Sequence, residues 1–137
     1  MIENYKDLWT KDFNLDAAKK YDRKWWSQCM DNLRHRQQVD LIKPFAKTSR
    51  TWLDFPVGSA RLMRSIRKHP TQSWHGSDVS DAFLEMSQEI LDRFSKQDLL
   101  HYKENNYELI TCMHALFAFD QSDQEMILHN LAAQLDQ

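Results

Sequence analysis

Two glycines in 137 residues leave little freedom for tight backbone turns, and one of them, Gly58, stands in the stretch LDFPVGSAR. Ahead of it, RTWLDF is short, apolar and rich in strand formers. Behind it, Leu62, Met63 and Ile66 are spaced for the inner face of a helix, with Arg61, Arg64, Arg67 and Lys68 expected outside. A strand that breaks at Pro56 and Gly58 and re-enters as a helix is the opening unit of a parallel sheet covered by helices.

The rest of the chain continues that alternation. TQSWHGSDV reads as a second strand, and Ser80 then opens a helix through Phe83, Leu84, Ser87, Ile90 and Leu91, with Asp81 and Glu85 near its positive end. Arg93 to Leu100 is a third strand candidate, and YELITCMH a strong fourth. Ser122 or Asp123 is expected to cap a last helix through Met126, Ile127, Leu131 and Leu135. Residues 1–49 read differently, as a helical segment ahead of a core over 50–137. Asn14 or Asp16 caps a first helix through Ala17, Ala18 and Tyr21. A longer one is expected from Trp26 to Phe45, with Met30, Leu33, Val39 and Leu41/Ile42 inward and Pro44 at its end. Trp25 and Trp26 read as core or interface anchors.

In an open parallel sheet, ligands bind beyond the carboxyl ends of the strands, where strand order reverses. Gly58 occupies the first such turn, and a side chain there would hold the backbone away from a ligand. Asp78 follows twenty residues later at the end of the second strand, the spacing at which a carboxylate accepts the two hydroxyls of a ribose. Asp98 closes the third strand candidate. Asp54, Asp78 and Asp98 thus converge on one rim. Each alone is an ordinary cap or turn residue; three in register with three strand ends favour a site. Positions 56 and 60 are Pro and Ala, so the glycine fingerprint of a pyrophosphate nest is absent. The ligand implied is a nucleoside without phosphates.

LDFPVGSAR resembles the first motif of class I S-adenosylmethionine-dependent methyltransferases, commonly Leu-Asp-x-Gly-Cys-Gly-Thr-Gly-Arg, of which a variant has Pro for the first glycine. SDVSDAFLEMSQEIL is similar to the second segment of that family, NNYELITCMHALFAF with DQSDQEMILHNLAAQL to its fourth strand and following helix, and KYDRKWW to the aromatic segment ahead of the core in small-molecule methyltransferases. The resemblance runs from about Tyr21 to the end. It implies a Rossmann-like α/β fold: an open parallel sheet with helices on both faces and an N-terminal helical extension. Carried over residue by residue, Asp54, Phe55, Pro56, Gly58 and Ser59 would face the methionine end of S-adenosylmethionine. Asp78 would take the ribose, Val79 would lie beside the adenine, Asp98 and Leu99 would meet the adenine, and Met113 would lie near the sulfonium. Tyr21 or Arg23 would close over the cofactor. Ala60 replaces the third glycine of the family.

The same family continues beyond the last helix with a fifth strand and a hairpin, whereas this sequence stops at Gln137. The resemblance thus implies that the C-terminal strands are missing and that the chain is either a piece of a longer protein or is completed by a partner chain. The fourth strand is then an apolar sheet edge, and such edges pair with other chains. A homo-oligomer, or a partner chain that completes the sheet, is expected.

Composition narrows the rest. Cys29 and Cys112 are too few for a disulfide framework or a zinc site, and the six histidines show no metal-ligand spacing. No apolar run approaches the ~18 residues of a membrane span, and MIENYKDLWTKDF lacks a signal-peptide core, so a cytoplasmic protein is expected. Residues 1–50 carry 11 Lys/Arg against 7 Asp/Glu, and residues 51–137 carry 7 against 13. That reads as a solvated basic segment beside an acidic core, or as a face for an anionic partner; the dense basic and aromatic patches of a nucleic-acid binder are absent. His114 is the one histidine expected near the cleft and the one to test as a base. The sequence names no catalytic residue and no methyl acceptor, although the family resemblance implies a small molecule. An active methyltransferase core, a catalytically inactive relative acting as a binding or regulatory subunit, and a helical interaction module remain open readings.

Overall fold

The structure, a computed structural model, describes residues 5–11, 13–103 and 106–136. Four parallel strands form one sheet in the order β3-β2-β1-β4: β1 Thr51–Asp54, β2 Ser73–Asp78, β3 Arg93–Lys96 and β4 Leu109–Thr111. Strand order reverses between β1 and β4. The fold is the expected Rossmann-like sheet with helices on both faces.

Side-chain alternation along β1 sorts the two cores. Trp52 faces one side with Trp74 of β2, where α3 Cys29–Thr48 supplies Ile42 and Ala46, and α4 Arg61–Arg64 supplies Leu62 and Met63. Leu84 of α5 Asp81–Ser87 packs there too. Leu53 faces the other side with Leu99, Tyr102 and Tyr107, covered by Ile127 and Leu131 of α6 Gln121–Ala132. Gly76 sits in the middle strand because a Cβ there would lie 2.5 Å from Leu91 Cδ1 and 2.9 Å from Val57 Cγ2. α1 Tyr5–Thr10 and α2 Leu15–Ser27 precede α3; Asn14 caps α2 as expected, accepting the Ala17 N–H.

Several expectations are corrected. Trp25 and Trp26 belong to α2, and α3 starts at Cys29. α3 buries His35, Ile42 and Ala46, with Val39 packed alongside, while Met30, Leu33 and Leu41 are exposed. The buried set keeps a helical spacing that runs through a polar residue, His35, which hydrophobicity alone passes over. α3 also runs past Pro44 to Thr48: a proline removes one N–H bond and fits helical φ, and so near the C-terminus the loss stays local. α5 ends at Ser87 and hands over to a 3-10 turn, Gln88–Ile90. Asp120, not Ser122 or Asp123, caps α6 by accepting the Asp123 N–H, and Met126 and Leu135 are exposed rather than core. Beyond α6, Leu135 forms a single parallel bridge with Tyr107, beside β4. Among the described residues, no helix is long and apolar enough to cross a membrane.

Candidate functional site

A cleft opens at the carboxyl ends of β1, β2 and β4, over the reversal in strand order, where crossing helices leave the sheet uncovered. Its floor is the β1–α4 turn. Val57 N–H bonds to Ser77 O, and Ala60 N–H bonds back to Val57 O, closing the turn. Gly58 has φ +53° and nothing within 4 Å of where a Cβ would point, so the turn needs glycine for its backbone and leaves open space above. Ala60 adopts φ 57°, ψ 33°, the left-handed geometry suited to glycine, so the loop keeps its shape without the third glycine.

Asp78 ends β2 almost wholly buried and ties this turn to the next. Its Oδ2 accepts the Gly58 N–H at 2.9 Å and its Oδ1 accepts the Ser80 N–H at 2.9 Å. Burial pushes its pKa up to about 6 against the pull of these bonds. Asp54, at the end of β1, is also buried, and burial pushes it to about 7. Thr111 at the end of β4 opposes that rise: its hydroxyl donates to Asp54 Oδ1 at 2.6 Å and accepts the Trp52 indole N–H at 2.9 Å. A buried chain Trp52–Thr111–Asp54 thus fixes the carboxylate across β1 and β4.

Of the ten residues the sequence assigns to the cofactor, nine line this cleft: Asp54, Phe55, Pro56, Gly58 and Ser59 from the first turn, Asp78 and Val79 from the second, then Leu99 and Met113. Asp98 does not. β3 ends at Lys96, so Asp98 falls two residues beyond it, where Oδ1 accepts the Leu100 N–H and Oδ2 faces His101. Tyr21 lines the cleft, whereas Arg23 lies in a separate groove with Asp16 and Met86. The α2 side chain that closes on the glycine turn is Asp22, which accepts from the Ser59 hydroxyl.

The aromatic wall was not assigned from the sequence. Trp9, Tyr21 and Phe83 pack edge to face or tilted, with ring centroids 5.4 to 5.8 Å apart, and Trp25 completes the wall beside His114 at 4.8 Å. The spread of aromatics through residues 9–25 was the available signal. Arg61 overturns the expectation of an outward basic face. It turns into the cleft, its guanidinium carbon 3.8 Å from the centre of the Trp25 ring.

His114, at the cleft mouth, has φ 57°, an uncommon backbone for a side-chain-bearing residue. Gln38 Nε2 lies 2.6 Å from His114 Nε2; the amide nitrogen only donates, so the ring nitrogen accepts and the proton of the neutral ring sits on Nδ1. Partial burial, then Arg61, lower its pKa, so the ring is neutral at pH 7. Burial pushes the Cys112 thiol up to about 12, which removes it as a nucleophile. Among the described residues, no group of three or more His, Cys, Asp or Glu is placed to hold a metal ion.

No family model matches the chain, and no curated protein matches it in sequence. Solved structures do match it in shape. The magnesium protoporphyrin IX methyltransferase of Synechocystis PCC 6803, with bound SAM, superposes at TM-score 0.71 and 17% identity over 97% of this chain and 73% of its own. An S-adenosylmethionine-dependent methyltransferase from Clostridium acetobutylicum ATCC 824 gives 0.67 at 15% over 87% and 53%. An O-methyltransferase family protein from Burkholderia thailandensis gives 0.70 at 12% over 93% and 42%. The chain therefore spans between 42% and 73% of the length of these proteins. At this level of identity the likeness is one of fold: the Rossmann-like open parallel sheet that these solved methyltransferases share.

Proposed function

We propose that the cleft binds S-adenosylmethionine and that the chain is the cofactor-binding core of a methyltransferase with a small-molecule acceptor. The observation that carries this reading is Asp78. A buried carboxylate stands at the end of β2, locked to the open Gly58 turn and facing a cleft at the strand-order reversal. A carboxylate has about four acceptor positions, and two are taken by backbone N–H groups, which leaves capacity for a ribose diol. The residues present fit a nucleoside: the turn has no phosphate nest, and the walls supply apolar contact through Leu99, Val79 and Met113.

When bound, the cofactor supplies an electrophilic methyl on a sulfonium, already a good leaving group. The protein then has to position an acceptor, exclude water and take a proton if the acceptor carries one. His114 is the candidate base: its one basic nitrogen, Nε2, accepts from the Gln38 amide, and an acceptor's proton would have to take the place of that N–H. The bound structures of the Synechocystis protein support the cofactor assignment by analogy of fold.

Calorimetry with S-adenosylhomocysteine tests the reading. The wild type is expected to bind, with Asp78→Ala weakened at least about a hundredfold by loss of hydrogen bonds to a charged group. No binding at millimolar ligand overturns the cofactor assignment. Binding without methyl transfer to any acceptor tried favours the inactive binding subunit instead.

A further inference from the structure

α3 carries apolar side chains on two sides. Val39, Ile42 and Ala46 pack into the core from one of them. Met30, Leu33, Leu41 and Phe45 fall within about 120° of arc on the other, at about 100° per residue. Among the described residues nothing covers this second side: Met30 is 61% exposed, Leu41 69% and Phe45 60%.

The polar residues around this stripe are mostly cationic. Arg34 lies within it and reaches Asp31 only at 3.7 Å. Arg36, Lys43 and Lys47 form one row along its shoulder, interrupted by Asp40. All three cations are exposed, and none is ion-paired among the described residues. α2 and α3 together carry 8 Lys/Arg against 4 Asp, whereas residues 51–137 carry 7 Lys/Arg against 13 Asp/Glu. Two of those four acids are engaged, Asp22 with the Ser59 hydroxyl and Asp31 with Arg34. A chain of net charge -2 thus turns its positive side outward where its apolar side chains are uncovered.

That pairing of charge and exposure selects the occupant. An antiparallel two-fold pairing with a second copy brings each shoulder of the helix to its own counterpart, so Arg36, Lys43 and Lys47 would meet themselves. A bilayer with anionic headgroups satisfies both halves of the face, since cations meet phosphates while leucine and phenylalanine enter the acyl boundary. No helix among the described residues is long and apolar enough to cross, so the contact is one that lies on the surface. We propose that the outward face of α3 docks on an anionic lipid surface, with Met30, Leu33, Leu41 and Phe45 inserted and Arg34, Arg36, Lys43 and Lys47 at the headgroups. The proposal stands apart from the cofactor reading, because none of these residues lines the cleft.

Co-sedimentation with vesicles tests it. Phosphatidylcholine vesicles with about 30% phosphatidylserine are compared with phosphatidylcholine alone. Wild type is expected to favour the anionic vesicles by at least about tenfold, and to lose that preference as salt rises from about 0.05 M to about 0.5 M. Leu41→Ser combined with Phe45→Ser is expected to weaken binding to anionic vesicles at least about tenfold. Arg36→Gln, Lys43→Gln and Lys47→Gln together are expected to remove most of the preference, at about fivefold per cation. All five side chains are exposed, so the variants should unfold at the wild-type temperature. Wild type that stays in the supernatant at millimolar anionic lipid overturns the proposal. So does binding that follows the cations but ignores Leu41 and Phe45. A wild-type oligomer that Leu41→Ser with Phe45→Ser dissociates, without vesicle binding, assigns the face to a second copy and overturns it too.

Discussion

Thr111→Val is nearly isosteric, and the structure makes it expensive. The valine leaves the Trp52 indole N–H without its partner at 2.9 Å, and both residues are buried. An orphaned buried donor costs roughly 1–3 kcal/mol. The variant also removes the bond to Asp54 Oδ1, which is worth roughly 1.5–3 kcal/mol to a carboxylate and about 1 kcal/mol to a neutral carboxyl. Because the two losses share one hydroxyl, they do not simply add, and a total of about 3 kcal/mol at about pH 8 is expected. Asp54 has its pKa near 7 in the folded protein, raised from 3.8. The Thr111 bond favours the ionised form, so its loss pushes that pKa higher still. Destabilisation should therefore shrink to about 2 kcal/mol at about pH 5, where folded Asp54 is protonated with or without Thr111. Urea unfolding of wild type, Thr111→Val and Thr111→Ser at both pH values measures this. Serine retains the hydroxyl and should lose less than about 1 kcal/mol. A valine variant within about 0.5 kcal/mol of wild type, or one whose cost does not grow with pH, refutes the relay.

Other expectations follow from the same geometry. Ligand ammonium and hydroxyl donors favour ionised Asp54 and Asp78, whose pKa values stand at about 7 and about 6, so binding of S-adenosylhomocysteine should weaken as pH falls through that window. The slope is up to about tenfold per unit for each group, and calorimetry in buffers of different ionisation enthalpy should register proton release. Ala60→Gly relieves a left-handed alanine but removes a fully buried Cβ, so it should stay within about 1 kcal/mol of wild type, whereas the β-branched Ala60→Val should lose more than about 2 kcal/mol. Thermal unfolding that ranks them the other way would contradict the turn geometry. We also propose that the outer edge of β4, begun at Tyr107 by Leu135, accepts a strand from a second chain. Sedimentation equilibrium should then show a dimer or larger at micromolar concentration, and a folded monomer would remove the idea.

The sheet was legible because strand and helix periods alternate around a rare glycine, and local pattern carries that much. The acids at the ends of β1 and β2 were legible for the same reason: a strand end fixes where a side chain stands. What escaped depends on packing between distant segments. Thr111 is an unremarkable residue of a strand until Trp52 and Asp54 close on it from β1. Arg61 looked like part of a solvated basic face. It points inward because His35, thirty residues from Ser65, and Trp25 capture it from two helices whose placement no local pattern encodes. Asp98 was misplaced because β3 ends two residues early, and strand ends are where pattern reasoning is weakest.

A ¹H–¹⁵N spectrum recorded during titration with S-adenosylhomocysteine tests the central claim most directly, since it reports both binding and place. Saturable shifts are predicted at the amides of Gly58, Ser59, Val79, Leu99 and Met113, which lie on four separate turns of one cleft, and none at the far end of the sheet near Thr51 and Ser73. A spectrum that does not change, or changes only away from those turns, contradicts the account.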